Sequence, residues 1–383
     1  MIRLTVPDLG EEELTAVDEV LKSGFLVQGE RVQTFEAKVA DYIGAKYAVA
    51  VTNCTAALHL ALLALGIGPG DFVLVTAYSW VSTANAIIHC GARPIFVDIE
   101  PDTFNMSVTD LKLKIKEFFH AAASDNRKLK AILPVHTFGQ MADMPEILRI
   151  AHDFSLKVVE DAACALGADI NGKKAGAWGD IGCFSFHPRK AITTGEGGII
   201  TTSSPVVYEQ LICLRNHGQV THTGKTNFTL PGYNFRMTEI QAAIGNVQMS
   251  KLENIIALRR KYASRYDSLL AENNVHIPVQ KVGRHIFQSY VVLVEKRLQY
   301  LRNTIIAEMR GKGIEVTIGT IFIPDTNYYA DTLHYCPRDY PIAVDVAARA
   351  LTLPLHTFLS MDDQIIVVEC LNNTIQSLIH SNL

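Results

Sequence analysis

The chain has 383 residues, of which 48% are hydrophobic and 19% are charged, and 35 Lys and Arg against 39 Asp and Glu give a formal net charge of −4. At roughly 100–200 residues per domain, this length predicts two domains, and the composition excludes an intrinsically disordered chain. No five consecutive residues carry like charges, so nothing indicates a surface for nucleic acid or anionic lipid. We therefore expect a small-molecule partner.

The seven cysteines are scattered and contain no C-x-x-C pair, so we expect neither a disulfide framework nor a zinc site. Pro7, Asp8 and the acidic run 11–13 precede any apolar stretch of signal-peptide length, so no secretion signal is expected. The uncharged stretch 48–70 is long enough to span a membrane, but its polar, glycine and proline residues favour a strand–turn–helix. These features predict a cytoplasmic protein with no bound metal and no membrane segment.

The predicted elements begin with two helices, at 14–21 and 32–43, and glycine follows each as a C-cap signal. Beyond them, short apolar runs alternate with helical segments. The runs lie at 47–51, 72–75, 93–97, 130–135 and 157–160, and the helical segments lie at 55–65, 83–90 and 144–154. Short, almost wholly apolar runs separated by helices are typical of buried parallel strands covered on both faces. We therefore predict an α/β domain with a large, mostly parallel sheet.

The pattern changes after residue 161, where two apolar runs follow without a long helix between them. The later predicted elements are strands at 182–186, 198–202 and 288–294 and helices at 238–270, 298–311, 342–351 and 361–379. We expect a large α/β domain over residues 1–250, whose N-terminal segment can pack on the small domain. A smaller α+β domain is expected over residues 251–383.

Polar residues after buried strands are candidates for a site, because ligands gather at the carboxyl ends of parallel strands. One run ends in Glu160 and Asp161, and another enters a helix whose first amides, at Thr55 and Ala56, could bind an anion such as phosphate. Lys190 lies between two late strands. Each feature has a simpler interpretation as a helix cap or a solvated lysine. Together they supply what pyridoxal phosphate requires: a phosphate cup, a partner for the ring nitrogen and an amine for a Schiff base.

Ordered sequence blocks extend over nearly the whole chain. They are TAALHL at 55–60, WVSTAN at 80–85, EDAA at 160–163, FSFHP at 184–188 followed by Lys190, TGEGG at 194–198, RNHG at 215–218 and GYNFR at 232–236. In these blocks the sequence resembles the DegT/DnrJ/EryC1/StrS family of sugar aminotransferases. The resemblance implies the aspartate-aminotransferase-like architecture of the fold type I pyridoxal-phosphate enzymes.

The resemblance implies roles for three residues around the cofactor ring. Lys190 would form the Schiff base and later act as the acid and base, since the displaced amine lies beside the substrate carbon. Asp161 would keep the pyridine nitrogen protonated, which makes the ring an electron sink. Trp80 matches the aromatic residue that stacks on the cofactor, and its alternative is a core tryptophan whose N–H needs one partner.

The resemblance also implies how the phosphate is held. Thr55, the Ala56 amide and Ser185 match the family's phosphate contacts, whereas Asn234 matches a residue that reaches the phosphate from the other subunit. A homodimer with a shared active site is therefore expected.

Three positions depart from the family pattern. Cys54 stands where glycine is common, Cys164 where glutamine or histidine is frequent, and Glu30 where proline is typical. Both cysteines are expected to line the cofactor pocket. The candidate substrate contacts are Glu30, His187 and Arg236.

The activity implied by the resemblance is transfer of an amino group from L-glutamate to a nucleotide-linked keto-sugar, with pyridoxamine phosphate as the intermediate form of the cofactor. The loop 193–198 favours amination at C4 over C3, because the corresponding loop of C3-aminating relatives tends to carry an aspartate. Two alternatives stay open: an aminotransferase for a cyclitol or other non-nucleotide keto substrate, and a cofactor-binding regulator without turnover.

Overall fold

The structure is a computed structural model that describes residues 1–121, 128–222, 224–271, 273–281 and 283–381. The helices in these ranges are α1 (Glu11–Ser23), α2 (Glu30–Ile43), α3 (Cys54–Ala64), α4 (Ser82–His89), α5 (Val108–Ala121), α6 (Met144–Asp153), α7 (Pro205–Arg215), α8 (Glu239–Leu270), α9 (Arg302–Gly311), α10 (Pro341–Arg349) and α11 (Met361–Ser381).

Most strands are short. They are β1 (Tyr47–Val51), β2 (Asp71–Thr76), β3 (Tyr78–Ser79), β4 (Arg93–Val97), β5 (Lys128–Leu133), β6 (Lys157–Asp161), β7 (Asp169–Ile170), β8 (Lys173–Lys174), β9 (Ile181–Ser185), β10 (Gly198–Thr202), β11 (Gln219–His222), β12 (Lys225–Phe228), β13 (Val275–His276), β14 (Tyr290–Val294), β15 (Thr317–Ile318), β16 (Ile321–Phe322) and β17 (Ala350–Leu353).

A seven-stranded sheet forms the centre of the larger part of the molecule, in the order β1-β10-β9-β6-β5-β2-β4. All its pairs are parallel except β1–β10 and β10–β9. Two apolar clusters lie on its two faces, one built around α3 and α4 and the other around α2 and α6. The predicted α/β class with a mostly parallel, doubly covered sheet is confirmed.

The ends of the first two helices follow the predicted glycine signals. Gly24 ends α1 with a φ of 72° and Gly44 ends α2 with a φ of 81°, both in the left-handed region that favours glycine. The uncharged stretch 48–70 forms β1 and α3, so the strand–turn–helix interpretation is confirmed. Within the described ranges, no helix combines the length and apolarity that a membrane crossing needs.

A second, smaller sheet is antiparallel and has the order β13-β14-β17-β15. The N-terminal segment lies against it, since Ile2 bridges to Ile314 and the Leu4 carbonyl accepts a hydrogen bond from the Leu355 amide. Helix α8 runs unbroken through residue 250. The expected boundary between two domains at this residue stays a prediction.

The structure differs from the sequence prediction at two elements beyond α8. The helix predicted over 342–351 ends at Arg349, and the next four residues form β17, which pairs with β14 and β15. The helix predicted over 298–311 begins as a 3-10 turn at Lys296–Leu301 before α9. Helices α5 and α7 are additional to the predicted ones.

Candidate active site

The two neighbouring acids at the end of β6 point to opposite faces of the sheet, as successive residues of a strand must. Glu160 is fully buried and accepts hydrogen bonds from the amides of Gly176, Trp178 and Gly179 and from His136 Nε2 at 2.7–2.9 Å. It therefore fastens the loop before β9. Of these two acids, Asp161 is therefore the one that is free to serve a site at this edge of the sheet.

Asp161 is 3% exposed and is held by two hydrogen bonds. Thr83 Oγ1 donates to one carboxylate oxygen at 2.7 Å, and the Ala163 amide donates to the other at 3.1 Å. Burial raises the pKa of Asp161, and these two hydrogen bonds and the charge of Lys190 oppose the rise. A buried carboxylate thus stands at the carboxyl edge of the sheet, where ligands of such folds bind.

Lys190 lies within electrostatic range of Asp161, on a tight turn after β9. Its Nζ donates to Cys164 Sγ at 3.1 Å. Burial by itself lowers the pKa of Lys190, but the adjacent Cys164 sulfur, with Cys54 and Asp161, raises it overall. The predicted group of Lys190, Asp161, Cys54 and Cys164 is therefore brought together in one place.

The turn that carries Lys190 is fixed by backbone groups. The Lys190 amide donates to the His187 carbonyl at 2.8 Å, and the Arg189 amide donates to His187 Nδ1 at 3.2 Å. Burial lowers the pKa of His187. His187 thus has a structural part in holding the turn, and its contact with a substrate stays a prediction.

The start of α3 faces the same group, because Cys54 is within electrostatic range of both Asp161 and Lys190. Asn53 caps the helix by accepting the Ala56 amide at 2.9 Å. The sequence predicted the Ala56 amide as a phosphate donor. In the structure this amide donates to the Asn53 cap instead, which is the simpler interpretation. The Thr55 amide has no acceptor among the described residues.

Strand β10 packs closely against the start of α3. A Cβ on Gly198 would lie 2.4 Å from the Asn53 carbonyl carbon and oxygen, so only glycine allows this approach. Ser185, at the end of β9, pairs in register with Gly198. The predicted phosphate contact Ser185 is therefore next to the strand that lies under the α3 start.

Two predicted residues lie on the surface of the single chain. Trp80 is 63% exposed, which excludes the alternative of a core tryptophan. Asn234 is exposed on a segment anchored by its neighbours, where the Phe235 carbonyl accepts from the Thr52 amide and the Tyr233 amide donates to the Leu214 carbonyl. Both side chains are accessible to a ligand or to a second subunit.

The other two candidate substrate residues have no contact with Lys190 or Asp161 in the described part of the chain. Glu30 is the exposed first residue of α2. Arg236 Nη1 donates to Asn216 Oδ1 at 2.6 Å. Their contact with a substrate stays a prediction.

One polar contact near Glu30 was not predicted. The Glu239 carboxylate accepts the amides of Gly29, Arg31 and Val32 at 2.9–3.0 Å and so caps α2 from the start of α8. A Cβ on Gly29 would lie 2.7 Å from Glu239 Oε2. The only local signal was a glycine where a capping Ser, Thr, Asp or Asn is usual.

The donor set of the site fits pyridoxal phosphate. The α3 start offers the Thr55 amide and the positive end of the helix to a phosphate. Asp161 is a buried carboxylate without an ion pair in the described residues, which suits a protonated ring nitrogen. Lys190 supplies the amine that such a cofactor bonds to. These parts occupy one end of the sheet.

The comparisons with known proteins agree with this site. Residues 7–372 match the model of the DegT/DnrJ/EryC1/StrS aminotransferase family. The chain is 38% identical to the GDP-perosamine synthase of Caulobacter vibrioides, over 94% of this chain and 95% of that protein. It is 33% identical to the UDP-N-acetyl-3-dehydro-alpha-D-glucosamine 3-aminotransferase of Acidithiobacillus ferrooxidans, over 92% and 91% of the two chains.

A solved structure has the same fold. The PMP-form of the putative sugar aminotransferase Spr1654 from Streptococcus pneumoniae aligns with a TM-score of 0.91 and 30% identity over 98% of this chain and all of that one. The PLP-form of that protein aligns with a TM-score of 0.90. The fold and site thus define a pyridoxal-phosphate-dependent aminotransferase. The chain belongs to the DegT/DnrJ/EryC1/StrS aminotransferase family, as its sequence blocks predicted.

Proposed function

We propose that this aminotransferase moves an amino group from L-glutamate to a nucleotide-linked keto-sugar, at C4 in preference to C3. The observation that carries the proposal is the pairing of half-buried Lys190 with buried Asp161 at the carboxyl edge of the sheet. The 38% identity with a protein named GDP-perosamine synthase supports a nucleotide-linked sugar as the acceptor.

The chemistry divides between the cofactor and the chain. Pyridoxal phosphate, when bound, supplies a ring that accepts the electrons of the C–H bond broken in the amino donor. The Lys190 amine takes that proton from the donor carbon and later returns a proton to the sugar carbon. Asp161 would keep the ring nitrogen protonated, and the hydrogen bond from Thr83 fixes the position of its carboxylate.

Binding of the phosphate falls to the Thr55 amide, the α3 start and the Ser185 hydroxyl. We infer that Asn234 completes this cup in a second copy of the chain, which makes the homodimer the active form. Two observations support this inference. The Asn234 side chain is exposed and packs in none of the cores that the described residues form, and the backbone hydrogen bonds of Tyr233 and Phe235 hold the residue in place.

The regiochemistry is inferred from the loop between β9 and β10. Thr193 Oγ1 donates to the Phe186 carbonyl at 2.8 Å, and a Cβ on Gly197 would lie 2.2 Å from Thr194 Oγ1, so the loop is closely packed. It carries Glu196 and no aspartate, which supports C4. The relative named as a 3-aminotransferase supports amination at C3 as the second candidate.

The test uses the purified holoenzyme, glutamate and a panel of nucleotide 4-keto- and 3-keto-sugars. Cofactor absorbance follows each half of the reaction, and NMR of the product identifies the aminated carbon. We expect glutamate to convert the cofactor and a 4-keto-sugar to restore it. Lys190→Ala should abolish both changes, whereas Lys116→Ala, which removes an exposed lysine on α5, should leave them unchanged.

The other outcomes separate the alternatives. Recovery on 3-keto-sugars alone would show that the C4 assignment is wrong. Recovery on a keto-cyclitol and on no nucleotide sugar would favour the non-nucleotide substrate. A cofactor spectrum that responds to no amino donor would favour a regulator without turnover.

A further inference from the structure

A small polar cavity lies beside the turn that carries Lys190. Its volume is about 90 Å³, and the N-terminal segment, this turn and the smaller sheet line it. Its polar lining residues are Thr5, Arg189, Gln288, Ser289, Thr317 and Thr352. The cavity thus lies between Arg189, the residue before Lys190, and the C-terminal part of the chain.

Arg189 is the one charged residue among the described residues that line the cavity. Its backbone is fixed on both sides, since its amide donates to His187 Nδ1 and its carbonyl accepts from Gln288 Nε2 at 2.5 Å. Its guanidinium forms no ion pair within the described ranges of the chain. Arg189 is exposed, and it brings a cation with free donors to the cavity from a backbone that is held in place.

A second guanidinium lies behind the cavity wall. Arg259 is 2% exposed, and its Nη1 donates to the carbonyls of Gln288 at 3.0 Å and Leu355 at 3.3 Å, both residues of the lining. Its Nε is buried without an acceptor in the described part of the structure. Burial lowers the pKa of Arg259 to about 10. A buried cation without a counter-charge is unfavourable, so an anion nearby would stabilise it.

The remaining groups of the lining suit an oxygen anion. Thr5, Ser289 and Thr317 bring hydroxyl donors to the cavity, and no carboxylate is found among the described lining residues. The Glu315 carboxylate lies near the N-terminal segment, where it accepts the Leu4 amide at 2.9 Å, and it does not line the cavity.

The volume decides what kind of anion fits. The 90 Å³ cavity corresponds to roughly three water molecules at about 30 Å³ each. A carboxylate fits that space, whereas larger ligands occupy pockets of roughly 300–1,000 Å³. The cavity therefore favours a carboxylate over a whole nucleoside diphosphate.

We propose that this cavity is the subsite for a carboxylate of the amino donor, with Arg189 as the residue that selects a dicarboxylic amino acid. The inference rests on the proposed function, because it assigns a place to the donor of that reaction. Arg189 directly precedes Lys190, so the cavity is lined by the same turn that carries the amine that moves the proton.

The test titrates the holoenzyme with glutarate, a dicarboxylate without an amino group, and measures its Kd by calorimetry. Loss of a charge-assisted hydrogen bond predicts that Arg189→Gln weakens glutarate binding by about tenfold to a hundredfold. The Kd of Arg189→Lys for glutarate should lie between those of wild type and Arg189→Gln, because lysine keeps the charge and loses the planar fork of the guanidinium. The KM for glutamate should rise in parallel, whereas Arg338→Gln, at an exposed arginine outside the lining, should change neither quantity.

The proposal is overturned if the wild-type holoenzyme does not bind glutarate or if Arg189→Gln binds it as tightly as wild type. It is also overturned if Arg189→Gln weakens binding of a nucleoside diphosphate and leaves glutarate binding intact, since the cation then serves the other substrate. Failure of the proposed function has a different signature. A cofactor spectrum that glutamate leaves unchanged removes glutamate as the donor, while the glutarate titration still reports on the cavity.

Discussion

Lys190 Nζ and Cys164 Sγ lie 3.1 Å apart, so the amine at the centre of the site donates its hydrogen bond to a sulfur. The contact joins the turn after β9 to the segment after β6, three residues beyond Asp161. Cys164 also counteracts the burial of Lys190, because it is the largest of the influences that raise the pKa of the amine. The unusual cysteine therefore holds the lysine and opposes the loss of its proton.

Replacement of Cys164 by alanine should shift the titration of Lys190. The variant keeps the burial that lowers the pKa of the amine and loses the sulfur that raises it, so the neutral amine should appear at lower pH. The measurement is the pH dependence of the rate at which pyridoxal phosphate reacts with the apo-protein. The midpoint should move to lower pH, and turnover should change by less than about tenfold, because one hydrogen bond is lost and the amine is kept.

Cys336→Ala is the matched control, since Cys336 is an exposed cysteine that makes no contact with Lys190 in the described ranges. Its profile should overlay that of wild type. An unchanged midpoint in Cys164→Ala, or an equal shift in both variants, would show that the sulfur does not control the amine.

Thr83 is expected to set the affinity for the cofactor through Asp161. Thr83→Val removes the donor at 2.7 Å from the carboxylate, and the pKa of Asp161 should rise further because that hydrogen bond lowers it. The carboxylate would then bind the protonated ring nitrogen less well. A hydrogen bond to a charged group contributes about 1.5–3 kcal/mol, so we expect the Kd for pyridoxal phosphate to rise by about tenfold to a hundredfold.

Thr83→Ser keeps the hydroxyl and is expected to retain most of the affinity, as measured by spectroscopic titration of the apo-protein. Equal losses in the serine and valine variants would attribute the effect to packing instead.

Asp161→Asn should stabilise the apo-protein while it weakens cofactor binding. Burial raises the pKa of Asp161 above its unfolded value, so the folded state binds the proton more tightly and loses stability as the pH rises through that interval. Asparagine cannot ionise and avoids this loss. The thermal midpoint of the apo-protein at pH 7 should therefore be higher in the variant, and the difference should disappear below the unfolded pKa.

Thermal unfolding of both apo-proteins between pH 3 and pH 8 provides the measurement. A variant that is less stable than wild type at every pH would mean that hydrogen bonds to the carboxylate outweigh the cost of burying its charge.

Much of the large sheet could be predicted from the sequence because its strands are short apolar runs with polar or turn residues at each end. The runs at 47–51, 93–97 and 198–202 match β1, β4 and β10 residue for residue. The end of α10 could not be found in this way. Ala350 and Leu351 are apolar and suit a helix as well as a strand, and pairing with β14 decides between them.

The same division applies to the site. Asp161 and Lys190 were predicted because the carboxyl ends of neighbouring strands must meet at one edge of a sheet. Thr83 and Glu239 were missed because each acts on a residue far along the chain, 78 positions away for Asp161 and 210 positions away for Gly29. The sequence left two interpretations of the Ala56 amide, as a phosphate donor or as part of a helix cap, and only the structure shows its hydrogen bond to Asn53.

Glu160→Gln tests the division of labour between the two acids at the end of β6. The Ala142 amide donates to His136 Nδ1, so His136 Nε2 carries the hydrogen donated to Glu160. Whichever way a glutamine side chain is turned, its NH₂ group faces donors that the carboxylate now accepts. At about 1–3 kcal/mol for each buried donor left unpaired, we expect a loss of about 3 kcal/mol in the free energy of unfolding.

The thermal midpoint should fall by roughly 3–5 °C, as measured by calorimetry on the holoenzyme. The Kd for pyridoxal phosphate should stay within about twofold of wild type, because the hydrogen bonds are lost on the face of the sheet opposite Asp161. Glu209→Gln, at an exposed position of α7, is the control and should change neither quantity. A large loss of cofactor affinity with unchanged stability would instead place Glu160 in the site, and the assignment of the two acids to opposite faces would be wrong.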